Sequence, residues 1–250
     1  MGKKVAVITG ASSGLGAALA NKFYDNNFTV VALCRSEPNH EEINYDLWIK
    51  TDITKADNRE NAAKIVTEKF GRCDVLINNA GLGEYATWLE TSEDELKQLF
   101  ELNYFAVIEV TKVFYSLIEK TQGTIINTSS IAGKLHVTCM GNYCASKYAL
   151  NAFSDSLRAE VEQKGVKVLN IITGRVNTGF SSRALAKRSV PSSPGGSSTN
   201  PADFANCVFK AYLKRKREIY YPAWYRIAPL VPKLFPKYYN RKNRQKWQLD

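Results

Sequence analysis

Short apolar runs alternate with helical patterns along most of this chain, and no other feature restricts its fold as strongly. Runs such as Val5-Ala6-Val7-Ile8 are continuous, which is typical of strands covered on both faces. Strands are predicted at about 4–9, 28–33, 47–51, 74–77, 124–128, 167–172 and 218–221. Helices are predicted near 14–26, 57–70, 92–119 (with a break near Asn103), 142–164 and 202–216. This alternation predicts a parallel sheet with helices on both faces.

Two stretches depart from the alternation. The segment between Arg35 and Asp52 is short for a strand–helix–strand crossover, so we expect its helix to be abbreviated or absent. The loop at 189–201 is rich in Ser, Gly and Pro. Because only about fifty residues follow it, we interpret it as part of a mobile loop over a binding site, not as a linker. One domain over 1–250, with this loop at about 179–200, is expected.

Composition excludes several classes of protein. With 44% hydrophobic and 23% charged residues, the chain has enough apolar material for a continuous core and is not expected to be disordered. No run approaches the roughly 18 to 20 apolar residues that span a bilayer. The apolar run near the N-terminus ends in a glycine loop within six residues, so no signal peptide is expected.

Cysteine and histidine contents bear on compartment and chemistry. The five cysteines include no CxxC pair, which favours idle thiols in a reducing, cytoplasmic compartment and no metal site. His40 and His136 are the only histidines, so a Ser/His/Asp triad or a histidine-based metal site has little material. Any catalysis is therefore expected to use other groups.

Three glycines follow the first strand and open the first helix. They are Gly10, Gly14 and Gly16, in the spacing Gly-x3-Gly-x-Gly. Glycines in this position permit a tight turn and let backbone N–H groups approach a pyrophosphate, which the helix N-terminus stabilises. On the glycines alone, a simple strand–helix turn remains an alternative.

Four further segments follow in order: Asp52-Ile53, Asn78-Asn79-Ala80-Gly81, Ser130-Ile131-Ala132-Gly133 and Tyr143-Cys144-Ala145-Ser146-Lys147. With the glycine spacing, this set resembles the short-chain dehydrogenase/reductase family over most of residues 4–221. The resemblance implies an α/β fold, a Rossmann-like doubly wound parallel sheet of about seven strands in an α/β/α arrangement, in the order 3-2-1-4-5-6-7. It also implies hydride transfer between a nicotinamide dinucleotide and a carbonyl or alcohol substrate.

By the same resemblance, a set of residues would contact the dinucleotide. They are Gly10, Ser12, Ser13, Gly14, Leu15, Gly16, Asp52, Ile53, Asn79, Ala80, Gly81, Tyr143, Lys147, Gly174, Val176 and Thr178. Asp52 would contact the adenine edge, and its alternative role is to cap a helix. Asn79 would contact the dinucleotide, and its alternative role is purely structural. Thr173 replaces a proline that is usual in relatives, a departure that bears on cofactor affinity and not on the reaction type.

The end of the second strand indicates which dinucleotide is bound. NAD-specific relatives usually have an acidic residue there, which binds the ribose 2′-hydroxyl. This chain has Cys34, followed by Arg35 and Ser36. A guanidinium and a hydroxyl can bind a 2′-phosphate that a carboxylate would repel, so NADP(H) is favoured over NAD(H). The glycine loop adds no second basic residue, and Arg35 could be an ordinary surface residue.

Tyr143 and Lys147 are four residues apart on a predicted helix, so their side chains share one face. A phenol, with an ordinary pKa of about 10, is a poor acid or base at neutral pH. The ammonium and a positive oxidised nicotinamide would favour phenolate, so we expect a lowered pKa for Tyr143. Ser130 follows the strand at 124–128 and can hydrogen-bond the reacting oxygen at the carboxyl edge of the sheet. Taken alone, the Tyr143–Lys147 pair could be a solvated helix face.

The resemblance assigns roles to these side chains. Tyr143 would be the acid/base, and Lys147 would lower its pKa and bind the ribose hydroxyls. Ser130 would orient the substrate oxygen. Asn103 would kink its helix and hold a water that relays protons to Lys147, with an ordinary helix-breaking polar residue as the alternative.

The positive charge of the chain is concentrated at its C-terminus. The formal net charge is +10, and residues 210–250 contain 12 Lys and Arg against Glu218 and Asp250. The same segment contains nine aromatic residues, and tails of this kind resemble those of hydroxysteroid dehydrogenase-like members. Three interpretations of its last part, about 222–250, stay open: contact with an anionic membrane, packing in the domain or an oligomer, and nucleic-acid binding, the least favoured. Three prolines between Ile227 and Pro236 prevent a long regular helix.

These observations predict an NADPH-dependent reductase of a ketone or aldehyde, acting on a hydrophobic or lipid-like substrate. One alternative is a non-catalytic NADP(H)-binding regulator of the same fold, and the complete proton-transfer set argues against it. Another is a sugar-nucleotide epimerase or dehydratase, which shares the Tyr-x3-Lys pair, although such relatives are usually longer and space their glycines differently. A homodimer or homotetramer is expected from the resemblance, in a cytoplasmic protein with peripheral membrane contact as one interpretation of the tail.

Overall fold

Seven parallel strands form the central sheet of the structure, a computed structural model that describes residues 2–176, 178–189 and 199–249. They are β1 (Lys4–Thr9), β2 (Phe28–Cys34), β3 (Leu47–Lys50), β4 (Val75–Asn78), β6 (Thr124–Ser130), β7 (Lys167–Thr173) and β9 (Glu218–Tyr221). Their order in space is β3-β2-β1-β4-β6-β7-β9. The seven predicted strands, the parallel sheet and the Rossmann-like order are therefore confirmed. The short strands β5 (Glu84–Tyr85) and β8 (Leu185–Ala186), which were not predicted, pair in a separate parallel sheet.

Helices cover both faces of this sheet. They are α1 (Gly14–Asp25), α2 (Ala56–Phe70), α3 (Glu93–Phe100), α4 (Ala106–Thr121), α5 (Gly141–Val161), α6 (Pro201–Leu213), α7 (Leu230–Leu234) and α8 (Pro236–Lys246). A π-helical turn at Glu101–Phe105 joins α3 to α4, so the break predicted near Asn103 is confirmed. No helix forms between β2 and β3, a stretch described in full, which confirms the expectation for that crossover.

Two apolar cores lie on opposite faces of the sheet because successive side chains of a strand point to opposite sides. Ala6 and Ile8 of β1 face the core that contains α1 and α6. Val5 and Val7 face the core that contains α2, α4 and α5. The continuous apolar run in β1 therefore exists because both of its faces are covered.

The chain after β9 has more helix than its three prolines suggested. A single 3₁₀ turn at Ala223–Arg226 precedes α7 and α8, and α8 begins at Pro236, where a fixed φ and a missing N–H are tolerated. The prolines thus divide the described segment into short helices, and its one helix longer than five residues starts at the last of them.

The predicted substrate loop at about 179–200 falls partly outside the described residues, because 190–198 are not among them. The described part at 179–189 contains β8, whose pairing with β5 holds it against the segment that follows β4. Val176 forms a parallel bridge with Thr199, which brings the two ends of the loop together.

Candidate active site

The glycine turn has the geometry that close approach to a phosphate requires. Gly10 and Gly14 have φ values of 65° and 58°, in the left-handed region that favours glycine. A Cβ on Gly16 would lie 2.1 Å from the Gly10 carbonyl oxygen, so the helix packs directly on the turn. Ser13 makes no side-chain capping bond, and the first turn of α1 has no acidic residue. The N-terminus of α1 therefore fits the pyrophosphate of a dinucleotide.

The residues after β4 border this turn. The Asn79 and Ala80 N–H groups donate to the Thr9 hydroxyl at 2.9 and 3.1 Å. The Asn79 side-chain amide donates to the carbonyls of Thr9 and Gly10 at 3.1 and 3.3 Å. Asn79 thus ties β4 to the glycine turn, so its structural alternative has direct support.

Four polar or charged residues lie near one another at the end of β2: Ser12, Cys34, Arg35 and Asp52. Burial raises the pKa of the Cys34 thiol to about 11, while hydrogen bonds from Ser12 and Trp48 act against that rise. Burial also raises the pKa of Asp52, but hydrogen bonds from Thr54, with the nearby positive charge of Arg35, outweigh it and lower that pKa. Arg35 and Ser36 are exposed. The end of β2 can therefore present a guanidinium and hydroxyls to a phosphate.

Asp52 and Ile53 have structural contacts as well. One Asp52 carboxylate oxygen accepts hydrogen bonds from the Thr54 N–H at 3.0 Å and from its hydroxyl at 2.7 Å. These bonds close the turn before α2, whose N-cap is Lys55, and Ile53 is buried in the core. Asp52 therefore stabilises the approach to a helix without capping it directly.

Ser130, Tyr143 and Lys147 meet at the carboxyl edge of the sheet, and all three are buried. The Lys147 ammonium donates to the Thr128 carbonyl at 3.1 Å and lies 5.9 Å from the centre of the Tyr143 ring. The Ser130 hydroxyl accepts from the Ala132 N–H at 3.1 Å and hydrogen-bonds the Tyr143 hydroxyl, which favours the phenolate. The structure therefore joins Ser130 to the Tyr143–Lys147 pair, which lies in a separate segment of the sequence.

The pKa values in this cluster follow from burial. Burial raises the pKa of Tyr143 above its ordinary range, and the hydrogen bond with Ser130 opposes that rise without cancelling it. Burial lowers the pKa of Lys147 to about 8. In the protein alone the pKa of Tyr143 is thus raised, because desolvation of a phenolate outweighs the hydrogen bond with Ser130. The expected lowering, which includes the positive charge of an oxidised nicotinamide, stays a prediction.

Asn103 lies in the π-helical turn, fully buried. Its side-chain amide donates to the Leu82 carbonyl at 2.8 Å and to the Ser146 hydroxyl at 3.1 Å. Its side-chain carbonyl accepts a hydrogen bond from the Leu82 N–H at 2.8 Å. The neighbouring Gly81 lies close to Lys147, since a Cβ on Gly81 would be 3.6 Å from the ammonium. Asn103 therefore positions the Gly81–Leu82 backbone beside Lys147, and its proton-relay role stays a prediction.

The loop after β7 reaches the glycine turn. A Cβ on Gly14 would lie 3.0 Å from the Thr178 Cβ, so Thr178 borders the predicted dinucleotide site. The Tyr225 ring covers Gly174, because a Cβ on Gly174 would lie 2.1 Å from it. The sequence did not single out Tyr225 as part of this site. The Thr173 hydroxyl, in place of proline, donates to the Gly174 carbonyl at 3.1 Å.

Further apolar residues that the sequence did not single out surround the phenol. The Phe180 ring lies 6.2 Å from the Tyr143 ring. Tyr85 packs in a buried cluster with Cys139 and Trp247, and its hydroxyl is 3.0 Å from the Ser181 hydroxyl. No spacing in the sequence links these residues. Burial after folding is the signal that identifies them.

Two ion pairs hold the described part of the loop in place. Arg188 donates two hydrogen bonds of 2.8 Å to the Glu90 carboxylate, and Lys187 lies 2.7 Å from Glu95. Together with the β5–β8 pairing, they fix residues 185–188 against the segment that follows β5.

Over the described residues, no group of three or more His, Cys, Asp and Glu side chains could hold a metal ion. Within the same part of the chain, no helix is both long and apolar enough to span a membrane.

A parallel sheet with a glycine turn and a grouped Ser, Tyr and Lys defines a dinucleotide-dependent oxidoreductase. The family model described as short chain dehydrogenase matches residues 4–189. The chain belongs to the short-chain dehydrogenase/reductase family, whose cofactor is a nicotinamide dinucleotide, NAD or NADP.

Individual relatives agree with this classification. A dehydrogenase/reductase SDR family protein 7-like from Anopheles gambiae is 32% identical, over 92% of this chain and 76% of its own. A probable short-chain type dehydrogenase/reductase VdlC from Helicobacter pylori is 38% identical, over 72% and 68%. The alcohol dehydrogenase from Thermococcus sibiricus, solved with 5-hydroxy-NADP, is 29% identical with a TM-score of 0.77, over 87% and 95%.

Proposed function

We propose that this protein uses NADPH to reduce a ketone or aldehyde to an alcohol, on a hydrophobic or lipid-like substrate. The observation that carries the proposal is the buried cluster of Ser130, Tyr143 and Lys147 at the same sheet edge as the glycine turn. Such a cluster can bind a carbonyl oxygen and deliver a proton to it.

Each side chain has a separate task in this reaction. The Ser130 and Tyr143 hydroxyls donate hydrogen bonds to the carbonyl oxygen, and Tyr143 transfers its proton as that oxygen becomes a hydroxyl. Its raised pKa keeps the phenol protonated before transfer. Lys147 places a positive charge beside the phenol as it loses its proton. Bound NADPH would supply the hydride to the carbonyl carbon and leave as NADP⁺.

The apolar surroundings of Tyr143 support a hydrophobic substrate. The phenol belongs to a cluster with Leu99, Ala132 and Cys144, against which Leu82, Val137, Met140 and Phe180 pack. Met140 also contacts the neighbouring cluster of Tyr85 and Trp247. Apolar walls with few polar groups favour an apolar molecule that carries one carbonyl group.

A direct test is NADPH oxidation, followed at 340 nm, across a panel of quinones, steroids, retinoids and acyl ketones. Turnover of any of these carbonyl compounds supports the proposal. Tight NADPH binding without turnover would instead support the non-catalytic regulator.

Preference for NADPH rests on the end of β2. Arg35 is exposed there, close enough to Asp52 to lower its pKa, and Ser12 hydrogen-bonds Cys34 at the same place. The relative from Thermococcus sibiricus was solved with an NADP derivative.

Replacing Arg35 with Ser is expected to raise the Kd for NADPH about tenfold or more, because a charge-assisted hydrogen bond to the 2′-phosphate is lost. Affinity for NADH should change little. Fluorescence titration with both dinucleotides measures the two values, and Lys55→Ser, a second exposed cation near Asp52, is the control. Equal losses for NADPH and NADH would contradict the assignment.

The reduction rate should depend on pH through Lys147. Burial lowers its pKa to about 8, so the ammonium is present below that pH and is lost above it. We expect kcat/KM to fall as pH rises above about 8 because the Lys147 ammonium is lost. Tyr143 stays protonated in this range, so its own titration does not cause the decrease. In Lys147→Arg the guanidinium keeps its charge, so this decrease should move to higher pH. An identical pH profile in the variant would assign the decrease to another group.

We also propose that the protein is a cytoplasmic homodimer or homotetramer. Phe105, in the π-helical turn before α4, and Tyr148 on α5 are both about half exposed, which suits burial against another subunit. The five thiols are unpaired and four of them are buried, as expected in a reducing compartment. Light scattering coupled to gel filtration would measure the mass, and a monomer at micromolar concentration would contradict the oligomer.

A further inference from the structure

Large apolar side chains are exposed along one short stretch after β9, residues 224–238, which we call the apolar ridge. Its members are Trp224, Ile227, Leu230, Val231, Leu234, Phe235 and Tyr238, between 39% and 66% exposed. They are seven of the thirteen exposed large hydrophobic side chains in the described part of the chain. Contiguous apolar exposure of this kind marks a surface that meets a partner.

Charges of one sign accompany the ridge. No acidic residue occurs between Glu218 and Asp250. Seven exposed cations lie within or directly after the ridge: Arg226, Lys233, Lys237, Arg241, Lys242, Arg244 and Lys246. The partner surface is therefore expected to be both apolar and anionic.

Contacts at both ends hold the ridge beside the active site. Near its start, the Tyr225 ring covers Gly174 at the end of β7. After its end, the Tyr239 hydroxyl donates to the His136 carbonyl at 2.6 Å. Further on, the Trp247 ring lies 6.1 Å from the Tyr85 ring, in the cluster next to Tyr143. The ridge thus lies at the carboxyl edge of the sheet, on the same side as Ser130 and Tyr143.

We infer that the apolar ridge docks on the surface of an anionic lipid bilayer. The apolar side chains enter the boundary between headgroups and acyl chains, and the flanking cations meet lipid phosphates. Helices of 5 and 11 residues, α7 and α8, suit a segment that lies on the membrane. Docking turns the site towards the bilayer, and this orientation rests on the proposed reduction of a hydrophobic substrate.

A second copy of the chain fits this surface less well. In a two-fold symmetric dimer the same patch occurs on both subunits. Pairing two ridges would bring two sets of seven cations together with no acidic residue between Glu218 and Asp250 to offset them. An anionic membrane neutralises these charges.

Co-sedimentation of the full chain with vesicles tests the inference. The wild type should pellet with vesicles of phosphatidylcholine and phosphatidylserine, and much less with phosphatidylcholine alone. Leu234→Ser combined with Phe235→Ser should lower the partition coefficient at least tenfold. Leu213→Ser is the matched control because Leu213 is 63% exposed, Leu234 is 66% exposed, and Leu213 lies at the opposite edge of the sheet.

Charge is tested in the same way. Lys237→Glu with Lys242→Glu should weaken binding to anionic vesicles at least tenfold. Lys214→Glu with Lys216→Glu makes the same change in net charge among exposed residues before β9 and should have little effect. Equal losses from both pairs would show non-specific attraction and overturn the inference.

A wild type that fails to pellet with anionic vesicles would also overturn the inference. If the Leu234/Phe235 variant then changes from dimer to monomer, the ridge lies between subunits. Turnover of a water-soluble carbonyl compound should be unchanged in the ridge variants. Membrane docking can therefore be disproved while the proposed reductase activity is retained. The reductase activity can likewise be disproved while membrane docking is retained.

Discussion

Replacing Tyr143 with Phe should lower kcat for carbonyl reduction by about 10²- to 10⁴-fold, the usual contribution of a general acid. The structure places the phenol hydroxyl against Ser130, and both side chains are buried next to Lys147. Removing one oxygen atom leaves the ring packing intact, so NADPH should bind with nearly unchanged affinity. Stopped-flow measurement of NADPH oxidation, together with a fluorescence titration, separates the two quantities.

Tyr148 provides the matched control for this variant. It lies on the same helix five residues later and is 47% exposed, so Tyr148→Phe should leave kcat within about twofold of the wild type. A Tyr143→Phe enzyme with wild-type kcat would show that another group donates the proton. The proposed mechanism would then be wrong even if the fold and the cofactor were right.

Replacing Gly16 with Ala should both destabilise the protein and weaken dinucleotide binding. The added methyl would lie 2.1 Å from the Gly10 carbonyl oxygen, so α1 has to move away from the glycine turn. Overpacking of this kind costs about 1–3 kcal/mol of unfolding free energy. Because the same turn approaches the pyrophosphate, we expect the Kd for NADPH to rise at least about tenfold.

Gly141→Ala is the control, since a Cβ there meets no atom within 4 Å. Both glycines lie in the first turn of a helix, Gly141 in α5 and Gly16 in α1. The two substitutions therefore change helix propensity in the same way. Urea unfolding gives the free energies, and titration gives the dinucleotide affinities. Equal stability and equal affinity in the two variants would show that the packing of α1 on the turn is not required.

The sheet was predictable strand by strand because its signal is local. Val5 to Ile8 are apolar on both faces, and each face of that strand packs in its own core. The C-terminal segment was less predictable. Its prolines indicated interruptions, but the helix from Pro236 to Lys246 is stabilised by contacts such as Tyr239 with His136, which no local pattern shows.

The candidate site was predicted only in part for the same reason. Ser130, Tyr143 and Lys147 were identified from their spacing and from the family resemblance, and the structure joins them. Phe180 and Trp247 carry no local signal. Phe180 packs beside the phenol, and Trp247 packs on Tyr85 in the neighbouring cluster, because segments far apart in the chain meet at one sheet edge.

By itself, the sequence determined the order of strands and helices and the glycine turn, because these depend on spacing along the chain. Spacing and the family resemblance together identified Ser130, Tyr143 and Lys147 as candidate proton-transfer residues. The tertiary structure decided the pKa values, since desolvation raises that of Tyr143 and lowers that of Lys147 to about 8. It also decided that the apolar ridge stays exposed beside the site. Burial and exposure are properties of the packed chain, and residue order alone does not specify them.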